Sequence, residues 1–87
     1  MVRDSRFPSM ADMAEGESGC IRSIDGDCPL VRRLLDLGFV PGTRVAAIRR
    51  APLGDPTTFL IRGYRIGLRR TEASLIGIDP ATIEQPV

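Results

Sequence analysis

The chain is 87 residues long, enough for one domain and too short for two separate cores, and its 43% hydrophobic and 26% charged content is that of a folded protein. It contains no histidine, which removes the commonest general base and the commonest metal ligand together, so no catalytic residue, metal ligand or cofactor is expected and the chain reads as a non-enzyme. Its net charge of +1 hides a basic centre: residues 44–70 carry seven arginines against Asp55 alone, a balance of +6, while residues 1–43 and 71–87 stand at −2 and −3.

In chain order, Met1 to Pro8 carry Arg3 and Arg6 with no apolar stretch behind them, the pattern of a flexible leader rather than of a signal peptide. Ser9-Met10-Ala11-Asp12 has the form of a capping box, with Met10 and Met13 one turn apart and able to pin a short helical turn to the core, and Gly16 ends that turn. Gly19 to Ile24 suits a first strand. Its Ile21 and Ile24 are three apart, so either a bulge intervenes or both faces are partly covered. Asp25-Gly26-Asp27 then turns the chain into a short amphipathic helix. Leu30, Leu34 and Leu37 recur at i, i+4 and i+7 with Val31 and Leu35 beside them, and Arg32, Arg33 and Asp36 take the other side. Pro29 fits the first helical position, with Asp27 or Cys28 at the cap. Gly38 is placed to close the helix in left-handed backbone and to let Phe39 fold back on Leu34, a Schellman ending. Val40-Pro41-Gly42-Thr43 has the residues of a type II turn, proline presetting φ at the second position and glycine supplying φ > 0 at the third.

Thr43 to Arg50 is the second expected strand, with Val45 and Ala47 on one face; Ile48 breaks the alternation, and a bend is expected there. Ala51-Pro52-Leu53-Gly54-Asp55-Pro56 is a loop, and Thr57 to Arg62, β-branched and aromatic, is the clearest strand in the chain. Gly63-Tyr64 suits a type II′ hairpin leading into a strand over Arg65–Arg69, where Ile66 and Leu68 share a face. Thr71 to Ser74 suits a single 3₁₀ turn, Leu75 to Ile78 a last strand, and Asp79-Pro80 its end.

About five short strands with one helix inserted after the first close most easily into a mostly β, strongly bent small barrel with a single core. An SH3-like barrel is the natural reading and an OB-fold the alternative. The domain is expected over residues 9–79, with 1–8 as leader and 80–87 as a C-terminal tail. The longest run of apolar side chains, Val45 to Ile48, is far short of the ~20 residues that span a bilayer, so a cytoplasmic chain is expected, its thiols Cys20 and Cys28 reduced. These cysteines have no second CxxC and no histidine pair, so a zinc site has no support in their spacing. The glycines form neither GxxxxGK[ST] nor GxGxxG, and no nucleotide motif is present.

The loop from Ala51 to Pro56 stands apart physically. Two prolines and a glycine make it stiff, so it loses little entropy on binding, and it presents Leu53 at its tip with Asp55 nearby. The plain alternatives are a rigid connector, and for Asp55 an Asx-type turn within the loop.

Taken in order, Gly16-x-x-Gly19-x-Ile21, Leu34-x-x-Leu37-Gly38-Phe39-x-Pro41-Gly42, Arg50-Ala51-Pro52-Leu53-Gly54-Asp55-Pro56, Arg62-Gly63, Leu68-Arg69 and Glu72-Ala73 resemble the ferrous iron transport protein A family, FeoA. The resemblance runs from about Met10 to Ile78; the family pattern has Leu where Met10 and Met13 stand and Ala where Gly67 stands. It implies a cytoplasmic SH3-like domain that is not itself an enzyme and that assists FeoB, the GTP-hydrolysing membrane ferrous iron transporter, without inserting in the membrane. The loop's stiffness and displayed Leu53, together with the family motif, make Pro52, Leu53, Asp55 and Pro56 the expected partner-binding residues, with Arg49 and Arg69 of the basic face at the rim. Gly38, Pro41, Gly42 and Gly54 are expected to be structural.

Two other functions compete. One is a nucleic-acid-binding barrel using the Arg44–Arg70 face, against which stands the lack of aromatic interleaving beyond Tyr64. The other is the regulatory SH3-like module of a metal-dependent repressor, which would require a DNA-binding helix-turn-helix domain.

Overall fold

The computed structural model describes residues 8–26 and 28–84. Runs with apolar residues two apart form the strands β1 (Ser18–Ile24), β2 (Arg44–Arg50), β3 (Thr57–Ile61), β4 (Tyr64–Leu68) and β5 (Ile76–Ile78). The α-helices among the described residues are α1 (Pro29–Asp36) and the single-turn α2 (Arg70–Ala73). The strands make one antiparallel sheet in the order β4-β3-β2-β1-β5. It bends into a barrel because β1 changes partner along its length: Ser18 to Cys20 pair with β2, and Ile21 to Ile24 pair with β5. A bulge between Ile21 and Ser23 makes the change, settling the three-residue spacing of the isoleucines. A second register shift lies between Ala47 and Arg49, where the bend at Ile48 was expected.

The core takes the inward positions of every strand, among them Val45, Phe59, Ile61 and Ile78, and is closed by Leu34 and Phe39 from the helix side. Met10 and Met13 close it from the N-terminal 3₁₀ turn Met10–Asp12. That turn is capped as expected. The Ser9 amide donates to Asp12 Oδ2 (2.9 Å) and Ser9 Oγ accepts from the Ala11 amide (3.2 Å).

The end of α1 is a full Schellman motif: the Phe39 amide donates to the Leu34 carbonyl (3.1 Å) and the Gly38 amide to that of Leu35 (3.0 Å), with Gly38 at φ +107°. The type II turn follows, Thr43 donating to the Val40 carbonyl (3.1 Å) and Gly42 at φ +90°. The start of α1 is plainer. Cys28 is the cap residue and makes no side-chain capping bond, while Asp27 lies outside the described residues. The buried stripe is narrower than the leucine spacing suggested, because Val31 and Leu34 are buried and Leu37 is 41% exposed.

Two expectations are corrected. The β3–β4 connection is not a type II′ turn at Gly63-Tyr64: Ile61 pairs with Tyr64, and the two loop residues are Arg62 and Gly63, at φ +51° and +83°. Positive φ at both central residues is the type I′ pattern, whose twist matches that of the flanking strands. Residues Arg70 to Ala73 form an α turn rather than a 3₁₀ turn, with Ala73 donating to the Arg69 carbonyl and Ser74 to that of Arg70 (both 2.9 Å). Residues 80–84, placed in the tail, are bonded to β1: Ser18 and Glu84 exchange backbone hydrogen bonds (3.1 and 2.8 Å), and the Cys20 amide donates to Thr82 Oγ1 (2.8 Å). Residues 1–7 of the expected leader and 85–87 lie outside the described residues.

Candidate functional site

The loop between β2 and β3 is built as a small closed frame. The Gly54 amide donates to the Ala51 carbonyl (2.7 Å), the Ala51 amide donates to the Pro56 carbonyl (3.0 Å), and Gly54 holds φ +89°. The first bond makes Ala51–Gly54 a β-turn with proline at its second position, where the fixed φ suits it. Leu53 stands at the tip, 96% exposed, with Pro52 and Pro56 exposed beside it. A leucine so fully in water gives the fold nothing by burial, so the sequence reading of Leu53 as a displayed residue matches its position.

Asp55 does something the sequence reading did not foresee. Instead of forming an Asx turn within its own loop, its Oδ1 accepts a hydrogen bond from the backbone amide of Arg70 (2.8 Å). The loop thus supplies a carboxylate to the first turn of α2, where unsatisfied amides and the helix dipole favour one. From within α2, Glu72 Oε1 accepts from the Arg69 amide (2.7 Å). The residues expected at a binding surface therefore meet at one end of the barrel: Leu53 and its prolines at the tip, Asp55 clamped to α2, Arg69 immediately before that clamp, and Arg49 two residues ahead of the loop. Arg70 was missed, since its part is played by a backbone amide.

The basic centre is less uniform than its residue count. Arg44 is engaged by three partners, Glu84 (Nη2–Oε1 3.0 Å), Ser18 Oγ (3.1 Å) and Cys20 Sγ (3.8 Å), and fastens β2 to β1 and to residue 84. Arg50 donates to the Met13 carbonyl and fastens β2 to the N-terminal turn. The Arg62 side chain lies over Gly38, where an added Cβ would come within 3.2 Å of its Cδ. Arg49, Arg65, Arg69 and Arg70 remain exposed around the loop and β4.

Among the described residues no group of three or more His, Cys, Asp or Glu side chains is placed to hold a metal ion, Cys20 being half-buried under Arg44 and Cys28 exposed. No helix of the described residues is long and apolar enough to cross a membrane.

Comparison with known proteins accords with this geometry. The family model of the FeoA domain matches residues 9–80. A Fe(2+) transport protein A/Fe(2+) transporter FeoB fusion protein of Porphyromonas gingivalis (strain ATCC BAA-308 / W83) is 30% identical over 70 residues, an alignment covering 80% of this chain and 8% of that protein. The chain therefore corresponds to a small part of that relative's length. Among solved structures, Stenotrophomonas maltophilia FeoA complexed with zinc, described as a prokaryotic SH3 domain protein, superposes with a TM-score of 0.83 at 26% identity, over 92% of this chain and 99% of that one. Iron(II) transport protein A from Clostridium thermocellum gives 0.78 at 31% identity, over 85% of this chain and 46% of that one. A manganese-dependent transcriptional repressor shares the fold alone, with a TM-score of 0.74 at 17% identity over 88% of this chain and 43% of that one. With its five-stranded SH3-like barrel and a family match across most of its length, this chain belongs to the FeoA family.

Proposed function

We propose that this chain is a cytoplasmic accessory protein of ferrous iron transport, not an enzyme, that docks on the cytoplasmic part of a FeoB-type transporter through residues 51–56 and adjusts its GTPase or its pore. The observation that carries this reading is the P. gingivalis relative, in which the FeoA and FeoB portions belong to one polypeptide. A covalent link holds two modules at high effective concentration, an arrangement that favours a weak contact made in function. The loop supports the reading physically. Its frame of hydrogen bonds fixes the backbone before any partner arrives, so docking Leu53 would cost little conformational entropy, while Arg49 and Arg69 at the rim would speed encounter more than they hold the complex.

The test is complementation of ferrous iron uptake in cells lacking their own copy of this protein, paired with a pull-down on the transporter's cytoplasmic domain. Leu53→Ser is expected to abolish both. If that variant complements normally while Arg49→Glu with Arg69→Glu fails, the contact is electrostatic and the loop is only a connector.

A further inference from the structure

The sheet has an open edge. Among the described residues, strand β4 comes at one end of the strand order and pairs with β3 alone. In an antiparallel pair closed by a two-residue loop, the residues flanking the loop exchange hydrogen bonds, and every second pair after them does the same. The bonded pairs are therefore Ile61 with Tyr64, Phe59 with Ile66 and Thr57 with Leu68. The N–H and C=O groups of Arg65 and Gly67 point away from β3, and no backbone bond from a described residue meets them. Both residues are exposed, and a Cβ added at Gly67 would meet nothing within 4 Å.

The two faces of this edge differ in chemistry. On the outer face lies Arg65, with Arg69 two residues past Gly67 and Arg49 in the same cross-strand row as Thr58 and Gly67. On the inner face Tyr64 is 69% exposed and Ile66 is partly exposed, both beside buried core residues of β3. A second copy of the chain pairing here would set Arg65 and Arg69 of both copies against each other, the usual way in which charged side chains keep sheet edges from self-association. An acidic strand meets no such repulsion.

We propose that β4 accepts an extended acidic segment of a partner as an added sixth strand, bound through the N–H and C=O groups of Arg65 and Gly67. Side chains of an added strand alternate between faces, so the segment that fits alternates acidic with apolar residues. Acids lie over Arg65 and Arg69 and apolar residues cover Tyr64 and Ile66. This surface shares Arg69 with the rim of the proposed docking loop but leaves out Leu53, and its test contains no transporter and reads the Arg65 and Gly67 amides, so either reading can fail alone.

The probe is a short acetylated peptide alternating glutamate and valine, titrated into the full chain and followed by NMR. The expected result is saturable binding with the largest shifts in β4, slowed exchange of the Arg65 and Gly67 amides, and weakening at raised salt. Arg65→Glu with Arg69→Glu is expected to lower the affinity roughly tenfold. Methylating alternate backbone nitrogens of the peptide, which leaves the protein untouched, is expected to abolish binding. The proposal is overturned if the methylated peptide or a lysine–valine peptide binds equally well. It is overturned too if the two amides are already protected in the free monomer, or become protected only as protein concentration rises, the sign of self-pairing.

Discussion

Two stretches of this chain share one vocabulary. Leu37-Gly38-Phe39-Val40-Pro41-Gly42 and Ala51-Pro52-Leu53-Gly54-Asp55-Pro56 are each six residues of proline, glycine and a large apolar side chain, and each holds glycine in left-handed backbone. The first drives Phe39 wholly into the core, while the second leaves Leu53 in water. Turn chemistry fixes the backbone in both and decides neither outcome. What separates them is the placement of the large residue: Phe39 follows a helix end that aims it inward through its bond to Leu34, whereas Leu53 sits between proline and glycine at the crown of a turn.

Substitutions can sharpen or break this contrast. The largest expected effect is that of Phe39→Ala, which leaves a cavity under α1 and should destabilise the fold by about 3–5 kcal/mol in chemical denaturation. Gly38→Ala should cost about 1–2 kcal/mol, since it strains a positive φ and presses on Arg62. Gly42→Ala, with nothing near its added methyl, should cost less than Gly38→Ala in the same melts. Asp55→Ala should cost about 1 kcal/mol by uncapping α2, with faster exchange of the Arg70 amide as its signature. Smallest of all, Leu53→Ser should move stability by no more than about 0.5 kcal/mol. A large drop in that last melt would mean the tip packs somewhere, and the contrast would collapse.

The Asp55 clamp also shows where sequence reasoning stops. The capping box, the Schellman ending and the type II turn were all legible, because each is set by residues within a few positions of one another. The hairpin was misplaced by one residue. Gly63 was assigned the first central position, and the residue that had to take positive φ was Arg62, a side chain that gives no such signal. That single step carries to the site: with Thr57 opposite Leu68, continuing the pairing outward brings Asp55 to Arg70, a relation the shifted register conceals. Leu53 and its prolines could be located from composition, but the partner of Asp55 could not. The docking of residues 80–84 on β1 was equally hidden, since it rests on Thr82 Oγ1 and a backbone exchange with no local pattern.

The divided pairing of β1 bears on the order in which the barrel can assemble. The hairpins β2–β3–β4 join neighbours in the chain and close at small entropic cost, whereas β1 needs β5 and residue 84, more than fifty positions later. In a refolding chain, the meander is free to form while β1 waits with one half of its backbone unpaired, until β5 and residue 84 dock on it. A chain truncated before Ile76 should accordingly remain susceptible to protease at 18–24, and one extending past Glu84 should not.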